Sequence, residues 1–409
     1  MEIVADFHVH SKYSRATSKN MDIDHLSMAA AIKGVNLLGT GDFTHPQWFL
    51  ELKNKLEFRS YGIYDYKGIS YILTAEVSNI YHKAGRTRRI HNLIFAPGFK
   101  VVKEINAALE EYGSLFSDGR PILKLDSKEM VKIILSISED CIIIPAHIWT
   151  PWFGLLGSKT GFDSLEECFE EEIENIYALE TGLSSDPAMN WRLSKLDRFT
   201  LISNSDAHSP MNIAREANVF NSKLDYSELI NIIKEKDNKK FSYTVEFFPQ
   251  EGKYHYDGHR NCGRCLNPKE SISLNNKCPK CGREVTVGVM HRVEKLSDRE
   301  EGYSRDSFIP FKNLIPLREI VSEVKNIGVN SRTVENEYKS IIGRFKSEFN
   351  VLVRAKEEEL RSSLPYKIAE GIMRVRRRQV EICPGYDGEY GKIKIFNEKE
   401  KKEEQLSLF

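Results

Sequence analysis

From Met1 to about Lys240 short β-branched runs alternate with amphipathic segments, and this alternation restricts the chain to a β/α architecture. Seven runs read as strands, at residues 3–8, 35–41, 70–75, 92–96, 141–146, 176–180 and 200–205. Helices are expected between them, among others over 22–33, capped by Asp22 and stopped by Gly34, and over 127–138, opened by Ser127. Seven strands suggest a barrel. In a parallel β/α barrel the chemistry gathers at the C-terminal strand ends, where His8, His10, Asp42, Glu76, His147, Asp206 and His208 fall. His91 opens its strand instead. Only 14 residues separate it from Glu76, and Gly85 with Lys83, Arg86, Arg88 and Arg89 makes this stretch too short and too polar for a crossover helix. A hairpin-like excursion would return His91 to the edge that carries Glu76.

At 409 residues the chain exceeds what one core holds, since single cores stop growing at roughly 250–300 residues. A boundary is expected near 245, where Phe247-Phe248-Pro249 gives way to Gly, Tyr, Asn and Cys. The expected order is a barrel over 1–245, a four-cysteine domain over 246–312, a helical and basic region over 313–396, with a helix over 336–361, and a charged tail over 397–409. With 41% hydrophobic and 29% charged residues the chain is of the folded class. No signal-peptide pattern opens the sequence and no apolar run approaches the ~20 residues of a membrane span, so a cytoplasmic location is expected. Lys plus Arg and Asp plus Glu both number 59, so overall charge says nothing of a polyanionic partner. Locally, residues 163–174 carry seven acids and no base, and 366–380 five bases against one acid. A basic face for a polyanion and an ordinary solvated helix both fit the latter.

His8 and His10 stand two apart on a strand, so both imidazoles project from one face, with Asp6 there as an orienting group. An isolated H-x-H says little. Here GDFTH, TAEVS, HNL, PAHIW and NSDAHS each add a ligand-type residue beside a strand end, in a chain with 11 histidines. Such clustering points to divalent metal ions. Two ions about 3.5–4 Å apart suit phosphodiester hydrolysis, because they activate water and offset the negative charge on attacking and leaving oxygens. Imidazole favours zinc and the carboxylates also accept manganese or magnesium, so the ligand mix does not select the metal.

The array Cys262-x2-Cys265-x12-Cys278-x2-Cys281 places two knuckles where they can meet around one structural zinc, with Gly263 and Gly282 in the knuckle turns. Cys141, Cys168 and Cys383 are scattered, which argues against a disulfide framework.

Taken in order, the strand-end residues of 1–240 resemble the PHP family of metal-dependent phosphoesterases. The resemblance implies a distorted seven-stranded β/α barrel with a trinuclear site, usually of zinc or manganese; for this chain two or three divalent ions, zinc, manganese or magnesium, are expected. By it His8, His10, Glu76 and Asp206 hold one ion, Glu76 bridges to a second held by His91 and His147, and His208 serves a third, for which Asp42 or His45 must replace the histidine of the usual TDH turn. Asp206, His208 and Glu76 become the catalytic set. The segments VGVMHRVEKLSDREEG and IAEGIMRVRRRQVEICPGYDGEYGKI extend the similarity to the endonuclease Q family of DNA repair enzymes. That implies a nick 5′ of uracil, hypoxanthine, xanthine or an abasic site in DNA. Lys83, Arg86, Arg88, Arg89, Arg374, Arg376, Arg377 and Arg378 are the candidate DNA contacts. Trp149 and Trp152 offer an aromatic wall for a displaced base or, equally, core packing. A phosphatase for a small monoester and a non-catalytic DNA- or clamp-binding scaffold are the alternatives; the further 165 or so residues oppose the first and the intact ligand set the second. The tail KEKKEE-QLSLF resembles a sliding-clamp motif, with Gln405, Leu406, Leu408 and Phe409 as the contacts with a bacterial sliding clamp.

Overall fold

The computed structural model describes residues 1–396; Gln405, Leu406, Leu408 and Phe409 lie outside the described residues. The chain divides into two compact units. The first comprises Met1–Ala31, Val35–Val245 and Arg292–Phe311, and the second Ile32–Gly34, Glu246–His291 and the described residues from Lys312 onward.

The first unit is a mixed α/β structure in which each of the seven expected runs overlaps a strand, although Glu76 and His91, expected at strand ends, lie inside the longer strands Ile69–Lys83 and Arg86–Ala96. Glu2–Asp6 pairs in parallel with Leu37–Gly39, and this with Ile69–Lys83. Ile69–Lys83 then runs antiparallel to Arg86–Ala96, which runs antiparallel to Ile142–Pro145. Ala178–Glu180 and Thr200–Ile202 pair in parallel with each other. Strands the pattern did not announce extend the sheet, with Ala217–Asn221 against Glu2–Asp6 and Phe241–Glu246 against Ala217–Asn221. The core is aliphatic and aromatic, with Ile3, Phe7, Leu37, Ile72, Leu93, Phe95, Ile144 and Phe220 in one buried cluster.

Residues 69–96 form one long hairpin. Its two-residue turn has Ala84 at φ 52° and Gly85 at φ 73°, positive values at both positions that match the right-handed twist of the flanking strands. Glu76 pairs with Leu93 and Ser78 with His91, so Glu76 and His91 share one face. The basic residues between them are strand residues, not loop.

Helix Ser127–Ile137 is capped one residue earlier than expected, by Asp126, whose carboxylate accepts the Lys128 amide at 2.8 Å. In the second unit Leu317–Lys325, Arg332–Phe345, Glu357–Ser363 and Tyr366–Arg376 are α-helical. The single helix expected over 336–361 is interrupted. Lys346 adopts φ 69°, and the Asn350 side-chain amide donates to the Phe345 carbonyl at 2.8 Å, which ends the first segment. Among the described residues no helix is long and apolar enough to cross a membrane.

Candidate metal centre and active site

Beyond strand Glu2–Asp6 the chain stays extended, so Phe7 and Val9 enter the core while His8 and His10 face the other way. Each imidazole is held through Nδ1. His8 Nδ1 lies 3.0 Å from Glu180 Oε1 and His10 Nδ1 lies 2.9 Å from Asp42 Oδ1. Both Nε2 atoms are thereby turned inward. His8 Nε2 stands 3.4 Å from Glu76 Oε2 and 3.6 Å from Asp206 Oδ1; His10 Nε2 stands 3.2 Å and 3.0 Å from the same two oxygens.

Glu76 is 1% exposed and divides its carboxylate between two groups. Oε2 meets His8 and His10, while Oε1 lies 2.7 Å from His91 Nδ1 and 2.9 Å from His147 Nε2. Ligand atoms of His8, His10, Glu76 and Asp206 lie within 4.8 Å of one another, as do those of Glu76, His91 and His147. The residues fit cations: His8 Nε2, His10 Nε2 and Asp206 Oδ1 are buried with no hydrogen-bond partner, a costly arrangement unless an ion completes it. Electrostatics agree. Burial opposes charge on Glu76, yet His91, Arg120 and His8 hold its carboxyl well below the usual range. Burial takes His91 down to about 4, against the pull of Glu76.

His147 is placed by its surroundings. Its amide donates to Glu180 Oε2 at 2.9 Å and its Nδ1 lies 2.7 Å from Thr150 Oγ1. Gly182 makes this approach feasible, since a Cβ there would fall 2.4 Å from the His147 Cβ. Asp206 and Asp42 adopt φ 47° and 48°, left-handed conformations that cost energy for a non-glycine residue and mark turns held by the surrounding structure.

Several sequence-derived roles change. Asp42, expected as a ligand, accepts from the Ser11 amide at 2.6 Å, the Ser11 hydroxyl at 2.7 Å and the Ser14 hydroxyl at 2.8 Å, and orients His10 instead. Asp6 accepts the Ser205 and Ala214 amides, and the orienting group for His8 is Glu180. His45 stacks between Tyr13 and Phe116, at 4.3 Å and 5.4 Å. His208 stands outside both ligand groups, its ring 4.5 Å from that of His10. Glu180 and Arg120 were missed, because a carboxylate ending a three-residue strand and an arginine in a loop carry no local signature.

A cavity of ≈ 470 Å³ opens over this centre, lined among others by His91, His147, Asp206, Arg120, Trp152 and Phe153. Arg120 donates to Glu76 Oε2 at 3.0 Å. Trp152 is 52% exposed, with the Arg89 guanidinium 5.7 Å from its ring. Trp149, by contrast, is buried and donates to Asn190 Oδ1 at 2.8 Å, which makes it a core residue. Arg88 lies over Phe162 at 4.0 Å and donates to the Gly161 carbonyl, and Lys83 Nζ lies 2.7 Å from Glu170 and donates to the Cys168 carbonyl at 2.9 Å. Both are tied to the protein. Arg86 is exposed.

In the second unit the four arginines do not form a common cationic strip. Arg376 donates to the Val351, Leu352 and Ala355 carbonyls at 2.7–2.8 Å, Arg374 bonds Glu370 and the Ile395 carbonyl, and Arg377 pairs with Glu357. Arg378, two residues past the helix Tyr366–Arg376, adopts φ 54°. Cys262, Cys278 and Cys281 converge, with His259 as the fourth member of the group. Cys265, the remaining cysteine of the array, has its Sγ 3.9 Å from the Pro384 carbonyl oxygen.

Imidazoles gathered around one shared carboxylate in an α/β unit, beneath an open cavity that Arg120 lines, define a metal-dependent hydrolase. The chain is 30% identical to the uncharacterized protein YqxK of Bacillus subtilis (strain 168), over 96% of this chain and 99% of that one. It is similar to the crystal structure of the lesion-specific endonuclease PfuEndoQ from Pyrococcus furiosus, with TM-score 0.88 and 32% identity, covering 100% of this chain and 99% of the other. Similarity to endonuclease Q in complex with a 27-mer duplex substrate with an abasic lesion at the active site gives TM-score 0.84 and 32% identity, over 97% and 98% of the two chains. Residues 316–379 match the family model described as the MJ0043 C-terminal domain. The chain belongs to the endonuclease Q family.

Proposed function

We propose that this chain is a DNA repair endonuclease that hydrolyses the phosphodiester 5′ of a deaminated base or an abasic site. The observation that carries the reading is the single Glu76 carboxylate facing both ligand groups, two of whose members, His91 and Asp206, line a cavity together with Arg120 and Trp152. His8, His10, Glu76 and Asp206 would hold one divalent ion and Glu76, His91 and His147 a second. Bound there, the ions supply water activation and charge stabilisation. Glu180 and Asp42 keep the imidazoles aimed, His208 stands beside Asp206 for a third ion or a proton, and Arg120 holds the scissile phosphate. Trp152 offers a face for a displaced base. A lesion is the economical target, because mismatched or missing bases cost least to move out of the stack.

The contacts of the first unit support a closed, seven-membered barrel. Beyond the paired strands, Ile148 donates to the Glu180 carbonyl at 3.1 Å and His10 to the Ala207 carbonyl at 3.0 Å, which links the last strands back to the first. For the tail, we propose that Gln405, Leu406, Leu408 and Phe409 bind a bacterial sliding clamp; calorimetry with the full chain and a version ending at Glu404 tests it, and equal affinities would end it.

The principal test incubates the purified protein and Mn²⁺ or Mg²⁺ with labelled duplexes carrying one uracil or one abasic site, an undamaged duplex, and p-nitrophenyl phosphate. Cleavage 5′ of the lesion alone supports the reading. Turnover of the monoester without DNA cleavage would assign a phosphatase, and inertness toward all substrates a scaffold.

A further inference from the structure

The metal-type group of the second unit is not the one that the cysteine spacing suggests. Strand Asp257–His259 pairs antiparallel with Arg264–Leu266, with Gly258 opposite Cys265 and His259 opposite Arg264. Residues directly opposite share a face and neighbours along a strand alternate. Cys265 and His259 therefore point to opposite faces of the hairpin, and only one can meet the second knuckle. The face of Gly258 and Cys265 is taken by another segment: a Cβ at Gly258 would fall 2.3 Å from the Tyr386 ring, and the Cys265 Sγ lies 3.9 Å from the Pro384 oxygen. On the other face His259 Nδ1 is 3.7 Å from Cys281 Sγ, and His259, Cys262, Cys278 and Cys281 have ligand atoms within 4.8 Å of one another.

The sequence carries the same register. His259-Arg260-Asn261-Cys262-Gly263 and Cys278-Pro279-Lys280-Cys281-Gly282 both read as ligand, two residues, cysteine, glycine. Each glycine has positive φ, 61° and 72°, with open space where a Cβ would stand, so backbone conformation alone selects it. The knuckles thus align when His259, not Cys265, is the first ligand.

We propose that this unit binds one zinc ion through His259, Cys262, Cys278 and Cys281, and that Cys265 remains an unligated thiol. Three thiolates and one imidazole form an ordinary tetrahedral zinc set. The test does not involve nuclease activity. In the full-length zinc-bound protein, iodoacetamide followed by peptide mapping is expected to modify Cys265 at least tenfold faster than Cys281, although both residues are exposed; chelation should remove the difference. Cys265→Ser should retain one zinc per chain. His259→Ala should lose it, and His259→Cys should retain it and, in the cobalt form, raise the thiolate-to-metal charge-transfer band by about one third as a fourth sulfur joins three. Protection of Cys265 together with Cys281 overturns the proposal, as does zinc retained by His259→Ala and lost by Cys265→Ser. Should His259→Ala fail to fold, the alkylation pattern of the unaltered protein still decides.

Discussion

The Arg120 guanidinium stands 3.0 Å from Glu76 Oε2, the same oxygen that lies 3.2 Å from His10 Nε2. One buried carboxylate therefore faces four imidazoles and an arginine, and its charge is what allows so much positive potential to gather beneath the cavity. Replacing Arg120 with Ala is expected to lower single-turnover cleavage of a duplex with one abasic site by roughly 100-fold, the scale of one lost donor to a developing anion. Arg120→Lys should recover part of it, since a lysine keeps the charge without the fork. Bound metal, measured by mass spectrometry, should stay unchanged. Equal cleavage rates in the alanine variant would remove Arg120 from the phosphate site.

Asp206→Asn should abolish cleavage while binding to the same duplex stays within a few-fold, because Asp206 Oδ1 is turned toward His8 and His10 in the ligand group. Fluorescence anisotropy and a cleavage assay on one sample check both halves. Near-normal turnover in added Mn²⁺ would sink the assigned site.

Glu180 belongs to neither ligand group and still aims two of their histidines, through His8 Nδ1 and the His147 amide. Glu180→Gln is expected to weaken metal binding by roughly 10–100-fold, as loss of an outer partner of a ligating histidine does. Metal titration by calorimetry reads this directly, and an unchanged affinity would refute the orienting role.

Arg376 and Arg89 should separate structure from DNA contact. Arg376→Ala leaves three carbonyl groups without their donor and is expected to cost on the order of 2 kcal/mol in urea unfolding, without altering the salt dependence of DNA binding. Arg86→Ala with Arg89→Ala should leave stability nearly unchanged and flatten the logarithmic salt slope by about 0.9 per lost phosphate contact. A flattened slope in Arg376→Ala alone would reverse the assignment.

Glu251 gives a pH dependence. Burial, and then Glu319, push its carboxyl up to about 8 from an ordinary 4.5, and its Oε1 has no hydrogen-bond partner. The folded state then binds the proton more tightly than the unfolded one, so the contribution of Glu251 to stability is fully present below about 4.5 and is lost as pH rises through about 8. Glu251→Gln should lack this fall and exceed the parent above pH 8 by on the order of 1 kcal/mol or more. Parallel stability profiles for the two proteins would discard the shift.

Local pattern was enough for seven of the strands of the first unit, though not for others such as Ala217–Asn221, and for the face shared by His8 and His10, because period-two alternation and residue type are carried by neighbours in the chain. It also brought His91 back to Glu76, since a short polar stretch around a glycine admits little besides a hairpin. What pattern did not contain is which atom of each candidate faces the centre. Asp42 and Glu180 are both acids at strand ends, and only packing turned each toward an Nδ1, behind its histidine. Arg120 and Asp206 meet across 86 residues of chain in the lining of one cavity. Cys265 and His259 differ only in the face of a hairpin they occupy, which the Gly258–Cys265 register decides. Spacing sets which residues can converge; side-chain direction is set by long-range contacts, and those exist only once the chain has folded.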